Sequence, residues 1–405
     1  MIILLKLGLV VLFILILIRL KIDLGLVLFS GAVLGGFLLG MNFRQIVKNI
    51  YSTLIDLNTL NLIGIILLVL YLGNFLQHTG NFKNMVNALD HLIPEPRLTL
   101  ILPAAIIGLL PMLGGALISA PMIDESSQKM NLTSETKTFF NYWFRHIWEY
   151  FWPLYPGLIL AAAIIKIPVS RIMIVQFPFT ILAVVIGLIL LFTKVPRIKK
   201  KSTSQRYVKS FVILVISLWP IILALILIFL LRFPMILSLA IVSLLTVLFS
   251  KSNIKEKKDV FLKSLSFKII FLLASVMMFK RILVDSGVFT SILKVFGTEG
   301  LSAIILLFCA PFLIGFLTGV NHAYVGVSFP ILLPIFGMEN PDLIYIMFAY
   351  VSGFAGILLS PTHLCLNLTI QYFKADQRKV YKILFWPVLT IFLTAFLVLL
   401  FTRIV

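Results

Sequence analysis

Apolar residues run along this chain in blocks of about 20, the length a helix needs to cross the ~30 Å hydrocarbon core of a bilayer. Ten such blocks can be drawn, over residues 2–18, 24–40, 60–76, 139–165, 172–192, 211–231, 235–249, 267–278, 343–368 and 381–401. Two further apolar stretches, 98–123 and 301–335, are broken at their centres, by Pro111, Gly114 and Gly115 in the first and by Thr318, Gly319 and Asn321 in the second. Their halves are mostly too short to cross, so each stretch is expected to fold as a re-entrant helical hairpin.

Basic residues orient the blocks. Between the fifth and sixth lie Lys194, Arg197, Lys199, Lys200, Lys201, Arg206 and Lys209 with no acid, which places the segment 194–210 in the cytoplasm. Residues 251–268 and the group Lys374, Arg378, Lys379 and Lys382 fall on the same side by span parity, and both termini are then expected outside. With 61% hydrophobic residues, 12% charged and a mean hydropathy of +1.12, a soluble chain is excluded and a multi-pass protein of the cell membrane is expected. The net charge of +19 is explained by loops held at an anionic leaflet, so no nucleic-acid partner is expected. Cys309 and Cys365 both lie in apolar stretches, which argues against a disulfide scaffold. The first block lacks a small-residue cleavage site and reads as a retained helix.

The chain also resembles itself. Residues 77–82 align with 284–289 at an offset of 207, which also pairs Gly108 with Gly315, while Pro153 meets Pro361 at 208. Each half reads as three spans, an amphipathic arm, a re-entrant hairpin, a Pro-broken span and a final span. Five crossings per half is an odd number, so the second copy should be inverted. The expected fold is an all-α polytopic membrane protein of two inverted repeats, 1–193 and 211–405, joined by the linker 194–210. Inverted repeats with interrupted helices mark transporters, with the substrate at the midplane where the breaks meet.

Candidate chemistry sits at the breaks, because non-helical backbone at membrane depth survives only where it lines a cavity or packs on protein. The first hairpin tip offers Gly114, Gly115 and Ser119, and the second Thr318, Gly319, Asn321 and His322. The last broken span adds Ser360, Thr362, His363 and Asn367. The first broken span is the most charged: Arg145, His146 and Glu149 can share one helical face, and Arg145 and Glu149 can also close on each other as an i, i+4 pair. Half-helix N-termini at such breaks suit a carboxylate or another anion. Gly31-x3-Gly35 and Gly36-x3-Gly40 are read as packing contacts, with dimerisation the alternative. His146, Glu149, His322 and His363 could converge on a transition metal, but their spacing matches no metal motif, and no metal or other cofactor is expected. Nor is an enzyme expected, since His-Glu-x-x-His, phosphate-loop and Gly-x-Ser-x-Gly patterns are lacking.

This layout resembles the ion transporter superfamily of divalent-anion/sodium symporters, citrate carriers and gluconate permeases. The strings Pro111-Met-Leu-Gly-Gly-Ala, Phe144-Arg-His-Ile-Trp-Glu-Tyr and Ser360-Pro-Thr-His-Leu-Cys-Leu are similar to those of an uncharacterised prokaryotic integral-membrane family of that superfamily. The resemblance covers essentially the whole chain. It implies a homodimeric secondary active symporter that moves a small organic anion by an elevator-like shift of the hairpin-bearing domain. Better-known symporters carry Ser-Asn-Thr at the tips and bind sodium there. Here Asn321 and Thr318 are the nearest match and the first tip offers glycine backbone, so proton coupling through Glu149, His146, His322 or His363 is expected in preference to sodium. An intramembrane metal-dependent enzyme is the alternative from a different class.

Overall fold

The computed structural model describes residues 2–112, 114–128, 130–197 and 207–404. Among these residues the regular structure is entirely helical. Seven helical segments are long and apolar enough to cross a membrane: Ile2–Arg19, Leu57–His78, Val169–Lys194, Tyr207–Leu230, Ile254–Asp285, Leu301–Thr318 and Gln377–Arg403. The outward face of these segments is apolar, with Leu5 68%, Val208 80% and Leu301 73% exposed, whereas Arg145, Glu149, Asn141 and Gln176 are buried inside. Such an exposed apolar surface is untenable in water and suits lipid. The chain is an all-α multi-pass membrane protein.

The expected breaks are present. The first hairpin is Pro96–Ile107 and Gly115–Ser127, and the second is Leu301–Thr318 and Asn321–Phe336. Leu301–Thr318 has 18 residues, enough to cross alone, which corrects the expectation of two short halves there. The first broken span runs Ser134–His146, a single 3-10 turn Ile147–Tyr150, and Pro156–Ile165; the second runs Leu343–Leu358 and Leu364–Phe373. Pro156 sits at the first helical position, where its missing N–H costs nothing. Gly114 opens the second helix of the first hairpin at φ 72°, and Gly319 closes the first helix of the second hairpin at φ 64°, conformations that glycine adopts without strain.

Two helices were not foreseen. Phe43–Leu54 and Ile254–Ser264 lie between the second and third spans of each half, and both start from an asparagine capping box. Asn42 accepts from the Gln45 N–H at 2.9 Å while Gln45 caps Asn42 in return, and Asn253 and Glu256 repeat the arrangement. With them, the ten helical segments from Ile2–Arg19 to Val169–Lys194 follow the same order as the ten from Tyr207–Leu225 to Gln377–Ile404. In the basic linker, residues 198–206 lie outside the described residues, Lys199, Lys200, Lys201 and Arg206 among them.

The halves pack on each other reciprocally. Leu24–Leu38 lies against Phe267–Asp285, as Leu57–His78 lies against Met235–Phe249. The second helix of the first hairpin packs on Leu364–Phe373, and that of the second hairpin packs on Pro156–Ile165. Within each half the hairpin meets its broken span at a glycine: a Cβ on Gly108 would strike the Arg145 carbonyl, and one on Gly315 the Gly353 carbonyl. Gly315→Val should therefore cost about 1–3 kcal/mol through overpacking, read as a lowered Tm in detergent. Gly8→Ala, at a helical glycine with open space around its Cβ direction, should leave Tm unchanged or raise it.

Candidate functional site

A carbonyl at a helix break has lost its partner four residues on, and at membrane depth no water replaces it. Two tyrosines supply the missing donors across the molecule. Tyr350, in the second broken span, donates to the Glu149 carbonyl at the first break at 3.0 Å. Tyr142, in the first, donates to the Leu358 carbonyl at 3.3 Å, with the Ile357 carbonyl at 3.5 Å. Tyr142 and Tyr350 stand 208 residues apart, as do Glu149 and Ile357, so the longer of the two Tyr142 contacts is the counterpart of the Tyr350 bond under the offset that pairs Pro153 with Pro361.

Around this crossing gather the ionisable residues. Helical φ and ψ tighten to the 3-10 turn after His146, and this takes Glu149 away from Arg145. The two do not form the i, i+4 pair that their spacing allows. Instead Glu149 Oε2 accepts from Asn321 Nδ2 of the second hairpin tip at 2.9 Å, and its Oε1 lies 3.7 Å from His146 Nε2. The Asn321 amide fits only because residue 157 is glycine; a Cβ there would overlap it. Arg145 turns to the first hairpin tip, where Nη2 donates to the Met112 carbonyl at 2.9 Å and Nη1 to Cys365 Sγ at 3.0 Å. Gly115 leaves room for the guanidinium, since its Cβ would lie 2.6 Å from Arg145 Nη2. Arg145 is 4% exposed and its Nε has no partner among the described residues.

The histidines pair. His146 Nδ1 lies 2.6 Å from the Tyr142 carbonyl, and His363 Nδ1 lies 2.6 Å from the Gly319 carbonyl. A carbonyl can only accept, so both Nδ1 atoms carry hydrogen. The two Nε2 atoms then face each other at 3.0 Å, and Tyr142 packs its ring against both imidazoles. The ligand atoms of His146, His363 and Cys365 all lie within 4.8 Å of one another.

The arrangement thus brings together Arg145, His146, Glu149, Asn321 and His363, with the carbonyl of Gly319 and the backbone of Gly115 beside them. Other candidates are engaged elsewhere. Ser119 bonds back to the Gly115 and Ala116 carbonyls, and Thr318 to Ile314. Ser360 donates to Phe316 and Thr362 to Leu317, so both pin the second break to the second hairpin. Asn367 bonds the Pro361 carbonyl. Gly114 serves as the left-handed cap of its helix, and His322, on the first turn of Asn321–Phe336, is outside the His146, His363 and Cys365 group. Sequence reasoning overlooked Tyr142, Tyr350, Gly157 and Cys365. The tyrosines could have been found from the 208-residue offset, and Cys365 from its His363-x-Cys365 spacing.

A family model described as a protein of unknown function, DUF401, matches residues 2–404, and the chain belongs to that family. No curated protein matches the chain. Tyr350→Phe would leave the Glu149 carbonyl without its donor and should cost about 1–3 kcal/mol. Tyr142→Phe should cost a similar amount, and Tyr372→Phe, at an exposed ring, close to nothing, all read as Tm in detergent.

Proposed function

We propose that the chain is a secondary active transporter that carries a small organic anion in symport with a cation. The observation that carries this reading is the gathering of Arg145, Glu149, His146 and His363 at the helix breaks inside an apolar bundle. Intramembrane ionisable residues are costly and mark substrate or ion paths. Arg145 supplies a buried positive charge with an unpartnered Nε. It stands beside the N-terminus of Gly115–Ser127, whose first N–H groups have no helical acceptor. Together these suit a carboxylate.

The shared order of ten segments, the reciprocal tyrosine bonds and the paired Gly108 and Gly315 contacts support two repeats. Five crossings in each would make them inverted, with both termini outside, the linker 194–210 in the cytoplasm and the cell membrane as the setting. In this reading the first three spans of each half form the scaffold and the homodimer contact. The hairpins and broken spans move against it in an elevator-like shift that carries the site across. The driving cation is a proton, with sodium as the alternative, because the first tip offers glycine backbone where a sodium site would place side-chain oxygens.

A thermal-shift screen of the purified protein against small organic anions, at two pH values and with or without sodium, tests the proposal. A bound substrate at a hundredfold excess over Kd should stabilise the fold by about 2.7 kcal/mol. The shift should change with pH, be indifferent to sodium, and vanish in Arg145→Ala. If no anion shifts Tm, or if Arg145→Ala and Asn321→Ala bind and transport every anion as wild type does, the reading fails.

A further inference from the structure

The histidine pair poses a chemical problem that the transport reading does not solve. Both Nδ1–H groups are committed to carbonyls, so two Nε2 lone pairs point at each other across 3.0 Å. Lone pairs converge in this way when a cation lies between them. The next nearest donors identify which cation. Cys365 Sγ completes a group of three ligand atoms within 4.8 Å, and Glu149 Oε1 stands 3.7 Å from His146 Nε2. Ligands at about 2.0–2.3 Å on a tetrahedral ion are about 3.3–3.8 Å apart, so the two imidazoles would part slightly and the thiol close in by up to about 1 Å to share one ion, and the Glu149 carboxylate, which lies outside that group of three, would turn towards it.

We propose that His146, His363 and Cys365 form a transition-metal site joining the two broken spans, with Glu149 as the fourth ligand. The mixture of two imidazoles, a thiolate and a carboxylate suits a borderline divalent ion of the zinc class. Each ligand also has the outer partner that metal ligands require. His146 is oriented by the Tyr142 carbonyl, His363 by the Gly319 carbonyl, Cys365 by Arg145 Nη1 and Glu149 by Asn321 Nδ2. One half of the chain provides His146 and Glu149 and the other His363 and Cys365, so the site would form only in the assembled fold. This inference goes beyond the transport reading and does not depend on it. A metal on the Nε2 atoms would withdraw both imidazoles from proton traffic, which is why metal content is measured apart from transport.

The experiment uses the full chain, purified in detergent from zinc-supplemented cells, desalted, and assayed for metal by mass spectrometry. Wild type should retain about one zinc ion per chain, and His363→Ala should retain at least about tenfold less. His91→Ala, distant from the cluster, should match wild type. Because His363→Ala could lose zinc by misfolding, its elution profile is compared with wild type, and cobalt substitution of wild type gives a second readout. Cobalt should produce the intense charge-transfer absorption of a thiolate ligand, abolished in Cys365→Ser. Zinc absent from wild type together with no thiolate band under excess cobalt would overturn the proposal and leave a shared proton between the imidazoles. Equal zinc in wild type and a well-folded His363→Ala would overturn it too.

Discussion

Everything at the centre of this protein follows from the cost of an unpaired backbone group where water is absent. Interrupting a helix inside the bundle exposes carbonyls, and several of those near the breaks meet a side-chain donor. Tyr350 and Tyr142 serve the opposite broken span, Tyr155 serves Gly108, Ser360 serves Phe316, and the two histidines serve Tyr142 and Gly319. The donors are side chains on neighbouring segments, so satisfying the breaks also locks hairpin to broken span and one half to the other. The polar interior is a by-product of this demand as much as a device for chemistry.

The order of helical segments recurs along the chain, and the charge on them does not. Under the 208-residue offset, Arg145, His146 and Glu149 correspond to Gly353, Phe354 and Ile357. The second half keeps the tyrosine and the close glycine contact but fills the ionisable positions with apolar residues. Conversely, Asn321 at the second tip lies against Gly157, while Cys365, the counterpart of Gly157, meets the guanidinium of Arg145. Each hairpin tip is therefore complemented by a residue of the first broken span, and one centre results where two equivalent ones could have stood.

Much of this was legible from the chain. Long apolar blocks, central Pro and Gly residues and the 207 to 208 offsets located the hairpins, the broken spans and the charged residues, because lipid permits so few alternatives. Local geometry was less legible. The tightening after His146 parts Arg145 from Glu149 although their spacing permits a pair, since a 3-10 turn alters which residues share a face. The helices Phe43–Leu54 and Ile254–Ser264 escaped because they are too polar to register as spans, though their capping boxes were in plain view. Hydroxyls such as Ser119 and Thr318 looked like ligands by composition, but a serine or threonine in a helix can always turn back on its own carbonyls.

The glycine contacts bear on how such a sequence can drift. At Gly157 the obstacle to a side chain is another side chain, that of Asn321, so a larger residue at one position could be rescued by a smaller one at the other. At Gly108 and Gly315 the obstacle is the peptide carbonyl of residue 145 or 353, which is the same whatever amino acid is encoded there. A search for second-site suppressors should therefore recover partners for lesions at 157 and none at 145 or 353 for lesions at 108 or 315, leaving reversion as the main escape. Two of the least conspicuous residues in the chain are, in genetic terms, its least negotiable.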